Sequence, residues 1–200
     1  MTKLLARLND ELANLAATAR AGLVRVGVRG VFGVGSGIIV HPQGLILTNA
    51  HVVRAEPIWV RLADGREFAA KILGRDRTGD LAALLVEAAG LPALELAPSE
   101  PAPGSLVLAL GHPWGVEAAA SFGVVAGVTT DEAGREWVLV NLRLRPGNSG
   151  GPLVDAAGRV VGINTVMTGA ETGAAVSVRS ARAFLKRVLA EHLRPAAAAG

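Results

Sequence analysis

The chain has 200 residues, half of them hydrophobic, with a formal net charge of +3 and no cysteine. A chain of this length buries roughly 70 % of its unfolded surface, so a substantial core is expected. The absence of cysteine excludes disulfides and thiolate metal sites, and the lack of a basic run interleaved with aromatic residues argues against nucleic-acid binding.

The N-terminal segment predicts an amphipathic helix over residues 1–21, because leucines recur at helical spacing with charged residues between them. The expected place for this helix is against the domain body, with an oligomer contact or a membrane surface as alternatives. Charged and polar residues interrupt the apolar stretch that a secretory signal needs, so a cytoplasmic protein is expected. A trimmed N-terminus would instead allow a periplasmic or extracellular one. No segment approaches the roughly 18 apolar residues of a membrane span.

After Gly22 the pattern changes to short runs rich in Val, Ile and Leu, separated by turn residues. These runs predict two sets of six strands, at 23–29, 35–40, 44–48, 57–63, 66–74 and 81–86, and then at 105–110, 120–128, 136–142, 151–154, 159–166 and 174–178. A proline-rich connector at 91–104 separates the sets. A closing helix and Ala-rich tail take residues 180–200. We therefore predict an all-β fold of two six-stranded barrels, over 22–90 and 105–179, with a cleft between them.

Only four histidines are available as a general base. His41 lies in a predicted hairpin turn, His112 in a rigid Gly-His-Pro-Trp-Gly loop, and His192 near the C-terminal end of a helix, where a cation suits the helix dipole. His51 directly follows the strand at 44–48, and a strand end holds a side chain rigidly at a rim. We therefore select His51 as the candidate base.

Asp80 and Ser149 are the candidate partners of this histidine. Asp80 opens an apolar strand, where a carboxylate needs a partner to offset its desolvation. Accepting the ring N–H of His51 would meet that need and fix the tautomer of the base. Ser149 lies in Arg-Pro-Gly-Asn-Ser-Gly-Gly-Pro, residues 145–152, and a serine hydroxyl needs such a base to become nucleophilic.

The order His51, Asp80, Ser149, with the first two residues in one barrel and the third in the other, carries a resemblance. The segments Gly-Ser-Gly-Ile-Ile at 35–39, Thr-Asn-Ala-His-Val-Val at 48–53, Asp-Leu-Ala at 80–82 and Pro-Gly-Asn-Ser-Gly-Gly-Pro-Leu-Val at 146–154 resemble chymotrypsin-fold serine proteases. More closely, they resemble the protease domain of the HtrA/Deg branch, as do Gly-Ile-Asn-Thr at 162–165 and the loop at 111–115. The likeness covers about residues 22–190, and no PDZ domain is expected after it.

Two competing interpretations fail. Residues 147–151 also match the G-x-S-x-G elbow of α/β-hydrolases, but that fold needs its acid and histidine after the serine and a helix beginning at it. Here the residues that follow Ser149 directly have the pattern of a strand, and the only histidine after Ser149 is His192. The glycines at 33–37 resemble a dinucleotide loop, but they lead into a strand rather than a helix.

The resemblance implies an acyl-transfer mechanism with Ser149 as nucleophile, His51 as base and Asp80 orienting it. It also implies an oxyanion hole made by the backbone N–H groups of Gly147 and Ser149. The implied activity is a serine endopeptidase of the protein quality control type, acting on unfolded or flexible polypeptides. A proteolytically silent peptide-binding or chaperone-like module on the same fold is the alternative. A trimer is implied by the family alone, no cofactor is implied, and no side-chain cluster has the spacing of a metal site.

The same resemblance places the S1 pocket beside the segment before Ser149. Strand alternation there puts Leu142 and Leu144 on one face and Arg143 on the other. We therefore expect Leu144 to line the pocket and the substrate to carry a small or medium aliphatic P1 residue. Val176 lies on the strand that the resemblance matches to the family's substrate-binding edge, and it is expected to form a further wall. The branch usually has small or polar residues where this chain has Arg143 and Arg145, and an inward Arg143 would favour an acidic P1 residue instead.

Overall fold

The computed structural model describes residues 2–30, 35–54, 56–167 and 171–193. Across these ranges twelve strands form two closed antiparallel barrels of six strands each, and two α-helices accompany them. This confirms the predicted fold class.

The first barrel closes in the strand order β1-β2-β3-β6-β5-β4, with β4 pairing back onto β1. Its strands are β1 (Leu23–Gly27), β2 (Gly35–His41), β3 (Leu45–Thr48), β4 (Ile58–Arg61), β5 (Glu67–Asp76) and β6 (Leu81–Val86). The interior is filled by branched aliphatic side chains such as Val24, Ile46 and Leu84, all fully buried. Such side chains suit a pleated surface, so apolar residues fill the barrel with few aromatic ones.

The second barrel follows the order β10-β11-β12-β9-β8-β7 and closes through β7 and β10. Its strands are β7 (Leu106–Gly111), β8 (Ala119–Thr130), β9 (Glu136–Val140), β10 (Pro152–Asp155), β11 (Val160–Met167) and β12 (Gly173–Ser177). A 3-10 turn at Pro113–Gly115 interrupts the connection between β7 and β8.

The connector between the barrels is tied to both of them. Its first half bonds the first barrel, with Leu91 N–H donating to Pro42 O and Leu94 N–H to Ile39 O. Its second half runs beside Val160, which exchanges backbone hydrogen bonds with Glu95 and Ala97. The connector therefore fixes how the two barrels face each other across the cleft.

The two helices pack on the barrels rather than between them. Helix α1 (Thr2–Ala21) buries Ala19 and partly buries Leu15, whereas Leu4 and Leu5 near its start are exposed. Helix α2 (Val178–Leu193) follows β12 without a loop and buries Phe184 and Val188 against the seam between the barrels. It begins two residues earlier than predicted, and the Ala-rich tail at 194–200 lies outside the described residues. Within the described residues, neither helix is long and apolar enough to cross a membrane.

Candidate active site

Three loops bring the predicted catalytic side chains to the cleft between the barrels. His51 lies just after β3, Asp80 immediately before β6, and Ser149 in the loop that leads into β10. Strands β3 and β6 are neighbours in the first barrel, with Thr48 opposite Ala82, so their adjoining loops meet. The Ser149 loop is bonded to the first barrel through Ser36 N–H, which donates to Ser149 O at 2.8 Å.

His51 and Asp80 form a doubly bonded pair. The His51 ring donates from Nδ1 to Asp80 Oδ2 at 2.8 Å, and its backbone N–H donates to Asp80 Oδ1 at 3.0 Å. Both carboxylate oxygens are thus used, and the ring cannot rotate without losing a charge-assisted bond. The His51 side chain stays 40 % exposed, whereas that of Asp80 is 16 % exposed. Because the Nδ1 proton faces the carboxylate, Nε2 is left as the basic nitrogen of the ring.

The backbone at Asp80 is held in an unusual conformation. Its φ is +52°, a left-handed value that non-glycine residues adopt rarely, although aspartate tolerates it better than most. The Asp80 carbonyl accepts a bond from Asn49 Nδ2 at 2.9 Å, and the same amide group donates to Thr165 Oγ1 at 3.0 Å. Asn49 therefore links the carboxylate loop of the first barrel to strand β11 of the second.

The Ser149 hydroxyl points to this linked strand. It donates to Thr165 O at 3.0 Å, and no hydrogen bond joins Ser149 to His51 among the described residues. Catalytic hydrogen bonds are often long or misaligned without substrate. A rotation of the serine side chain away from Thr165 is therefore the step that would bring its proton to His51.

The backbone around Gly147 is held in a conformation that requires glycine. Gly147 has a φ of +104°, and a side chain there would collide with the His112 carbonyl, so only glycine fits. Its own carbonyl accepts two bonds, from His112 N–H at 3.0 Å and from the Ser36 hydroxyl at 2.8 Å. Within the described part of the chain, neither Gly147 N–H nor Ser149 N–H donates a hydrogen bond. Two backbone donors beside the nucleophile are thus uncommitted.

His112, which the sequence places in a rigid loop, contacts the backbone of Gly147. It is 8 % exposed, and its Nδ1 lies 3.0 Å from Ser36 Oγ. Burial, reinforced by the charges of Arg25 and Arg20, lowers the pKa of His112 to about 4. The ring is therefore neutral at neutral pH.

The predicted S1 residues are only partly brought together. Leu144 is buried and packs over Gly173, whose missing side chain leaves it room. Arg143 is exposed and forms a two-pronged ion pair with Glu171, with Nε donating to Oε2 at 3.0 Å. Val176 lies elsewhere, because its side chain belongs to the buried cluster with Phe184, while its neighbour Ala175 shares the cluster of Leu144. Successive residues of a strand face opposite sides, which is why Val176 does not join Leu144.

Sequence reasoning assigned no role to four polar residues of this site, although the segments that contain them carried the resemblance: Ser36, Asn49, His112 and Thr165. The bonds of Ser36 to Gly147 and of Asn49 to Asp80 and Thr165 span 31 to 116 positions, so no local spacing signals them. Among the described residues, no group of three or more His, Cys, Asp or Glu side chains is placed to hold a metal ion.

The geometry agrees with what this chain is similar to. A family model described as a trypsin-like peptidase domain matches residues 35–163, more than half of the 200 residues. The chain belongs to the trypsin-like peptidase family. Within this trypsin-like peptidase, the matched stretch contains His51, Asp80 and Ser149 together with their connecting residues.

Relatives from the HtrA group share both sequence and fold with this trypsin-like peptidase. It is 46 % identical over 136 residues to a probable periplasmic DegP-like serine endoprotease of Hahella chejuensis, covering 66 % of this chain and 29 % of that protein. It is 38 % identical over 166 residues to the mitochondrial serine protease HTRA2 of Drosophila pseudoobscura pseudoobscura, covering 76 % of this chain and 38 % of that protein. The match thus spans well under half the length of each of these two relatives.

Solved structures give the same result for the fold. The serine endoprotease from Yersinia pestis superposes with a TM-score of 0.80 at 31 % identity, covering 90 % of this chain and 67 % of that one. The HtrA-type protease AlgW with a decapeptide superposes with a TM-score of 0.79 at 27 % identity, covering 89 % of this chain and 67 % of that one.

Proposed function

We propose that this chain is a serine endopeptidase that cleaves unfolded or flexible polypeptides through an acyl-enzyme. The observation that carries the proposal is the His51–Asp80 pair, in which two hydrogen bonds hold the residue with Nδ1 on the carboxylate and leave Nε2 as the basic nitrogen of the ring. Homology to named serine endoproteases supports it.

In the proposed reaction the Ser149 hydroxyl turns from Thr165 O to His51 Nε2, which takes its proton as Oγ attacks the substrate carbonyl carbon. Asp80 stabilises the imidazolium that forms without itself becoming protonated. The N–H groups of Gly147 and Ser149 donate to the oxyanion, an effect worth roughly 2.7–4 kcal/mol for one such donor in other enzymes. His51 then gives its proton to the leaving amine, and water hydrolyses the ester by the reverse proton path.

For the P1 residue we propose a small or medium aliphatic side chain, such as Val, Ala or Leu. Two features support this: Leu144 offers an apolar wall over Gly173, and the Arg143 guanidinium is paired with Glu171 rather than left to attract an acidic side chain. Val176 is left out of this pocket for the reason given above. The trimer implied by the family stays a prediction.

The activity is tested by incubating the chain with a reduced, permanently unfolded protein and with the same protein in its native form. We expect fragments from the unfolded substrate only, ending in aliphatic residues, and none with the Ser149→Ala variant. Fragments that persist with Ser149→Ala, or no fragments from any unfolded substrate, would contradict the proposal.

The P1 proposal is tested separately with a fluorogenic peptide library varied at P1. Val, Ala and Leu should give the highest kcat/KM. A preference for Glu or Asp would show that Arg143 leaves Glu171 and enters the pocket. The Glu171→Gln variant extends this test. It weakens the ion pair with Arg143, so kcat/KM for peptides with an acidic P1 residue should rise relative to the parent chain.

A further inference from the structure

Two buried side chains outside the catalytic trio contact the loop that carries the oxyanion donors. We call residues 145–149 the oxyanion loop, and the pair Ser36 and His112 the brace. Ser36 is fully buried on β2 and His112 is buried at the end of β7. Ser36 Oγ lies 3.0 Å from His112 Nδ1 and 2.8 Å from Gly147 O. The brace thus joins one strand from each barrel to a single carbonyl of the oxyanion loop.

Counting protons fixes the direction of both bonds. A carbonyl oxygen only accepts, so the single Ser36 hydroxyl proton goes to Gly147 O. Ser36 Oγ must then accept from His112, which requires the His112 proton to be on Nδ1. Because the ring is neutral at neutral pH, this defines one tautomer. In the brace, His112 Nδ1–H donates to Ser36 Oγ, and the Ser36 hydroxyl donates to Gly147 O.

Further contacts hold the segment around His112 against the oxyanion loop. The His112 backbone N–H gives Gly147 O its second hydrogen bond at 3.0 Å. The Arg145 guanidinium lies 4.9 Å from the centre of the Trp114 ring, a cation–π contact between the same two loops. Gly111 lies so close to the Cα of Asn148 that a side chain would not fit between them. The oxyanion loop is therefore positioned largely by the segment 111–114.

The brace affects the oxyanion loop through its hydrogen bond to the Gly147 carbonyl. Glycine at a φ of +104° has no side chain to anchor it, and its peptide planes rotate more freely than those of other residues. Both acceptor sites of the Gly147 carbonyl are occupied, so the peptide plane between Gly147 and Asn148 is fixed. Because this plane lies between the Gly147 and Ser149 N–H groups, rotation of the backbone that carries them is restrained. Donors fixed in advance are those that stabilise a developing oxyanion at no cost of reorganisation.

We propose that Ser36 and His112 are positioning residues of the oxyanion hole, acting through Gly147 O. This rests on the proposed endopeptidase function. Among the described residues, the hydrogen bonds of these two side chains go to each other and to Gly147 O, not to His51, Asp80 or the Ser149 hydroxyl. Their removal should therefore weaken the transition state and leave substrate binding almost unchanged.

The test compares four variants assayed on one aliphatic P1 peptide. Ser36→Ala and His112→Leu each remove one member of the brace. His112→Asn replaces the ring with an amide whose N–H lies near the Nδ1 position. Ser177→Ala is the matched control for Ser36→Ala, because Ser177 is also fully buried but bonds Glu136 and Ser180 on the far side of β12.

We expect kcat to fall about 10- to 100-fold in Ser36→Ala and His112→Leu, somewhat less than the loss of an oxyanion donor itself, with KM within about threefold. His112→Asn should keep kcat within about threefold of the parent chain, since the donor is restored. Ser177→Ala should leave kcat unchanged. A variant that merely loosened the fold would move KM and melting temperature together and would not be rescued by asparagine.

The proposal is overturned if Ser36→Ala or His112→Leu is folded with unchanged kcat, or if His112→Asn loses as much as His112→Leu. Should Ser36→Ala fail to fold, the two His112 variants decide. If the parent chain shows no activity, the proposed function fails by itself. The brace is then judged by ring ¹⁵N NMR shifts of His112 at neutral pH, where protonated Nδ1 supports it and a proton on Nε2 alone refutes it.

Discussion

The two buried or half-buried histidines of the cleft show how one residue type serves two purposes. His51 and His112 both donate from Nδ1, at 2.8 Å and 3.0 Å. The acceptor is a carboxylate for His51 and a hydroxyl for His112. His51 keeps a 40 % exposed side chain beside Ser149, whereas His112 is 8 % exposed beneath Gly147.

The role of each histidine therefore depends on the group that accepts its Nδ1 proton and on how far its side chain is exposed to solvent. A carboxylate behind the ring stabilises the imidazolium that a general base must become. Burial with two arginines nearby opposes that charge, and it lowers the pKa of His112 to about 4. His112 therefore serves as a fixed neutral donor, whereas His51 is equipped to accept a proton.

The largest predicted effect comes from removing the carboxylate behind His51. Asp80→Asn keeps the shape of the side chain but offers the ring a donor, which favours the wrong tautomer. We expect kcat to fall by about 10⁴-fold, as it does for the same substitution in a serine protease with a Ser-His-Asp triad. Steady-state hydrolysis of an aliphatic P1 peptide provides the measurement.

Asp76→Asn is the matched control for this change. Asp76 accepts from Gly79 N–H and from Arg187, away from the ring of His51. Its kcat should stay within about twofold of the parent chain, because the amide oxygen of the new asparagine still accepts from Gly79 N–H and the Asp80 carboxylate is untouched. If Asp80→Asn retains activity within tenfold, the carboxylate does not orient the base and the contrast between the two histidines is lost.

The second predicted effect is a pH-dependent loss of folding stability that comes from the buried ring of His112. The pKa of His112 is lowered from its usual value of 6.5 to about 4 in the folded chain. The unfolded chain therefore binds a proton at a pH where the folded chain does not, and stability falls as the pH drops from 6.5 toward 4. Between pH 7.5 and 4.5 this group should cost about 2–3 kcal/mol of unfolding free energy.

Urea unfolding at both pH values measures this cost. His112→Asn lacks the titrating ring, so its free energy of unfolding should fall less on acidification than that of the parent chain. Equal losses in the two proteins would mean that the folded state protonates His112 freely.

The smallest effect is expected at a third histidine. His41 is exposed at the end of β2, and its Nδ1 accepts from Gln43 N–H at 3.2 Å. His41→Asn should change kcat by less than about twofold and the unfolding free energy by less than about 0.5 kcal/mol, as for most surface substitutions. A larger change in either quantity would show that exposure does not separate the roles of these rings.

The sequence predicted the fold well, because short strands depend on local signals, and local signals also led to the proposed catalytic trio. Alternating aliphatic runs broken by glycine and proline indicate short strands. A histidine at a strand end, an aspartate opening an apolar strand and a serine among glycines indicate polar groups at strand rims. Their order along the chain then matched one kind of two-barrel fold.

The supporting polar residues could not be predicted, because their partners come from the other barrel. Asn49 bonds Thr165 across 116 positions, and Ser36 bonds Gly147 across 111. The family resemblance, rather than a pattern in the residues, put Val176 beside the pocket. The register that sets it opposite Trp137 and Ile163 also turns its side chain to the seam against α2, and no pattern within β12 shows which face meets the pocket.

The central claim, that His51 activates Ser149 as a nucleophile, is tested most directly by mapping a fluorophosphonate adduct by mass spectrometry. We predict one adduct per chain, on the peptide containing Ser149, absent in Ser149→Ala and formed far more slowly in His51→Ala. An adduct that persists in Ser149→Ala, that forms equally fast in His51→Ala, or that never forms with the folded chain would contradict the account.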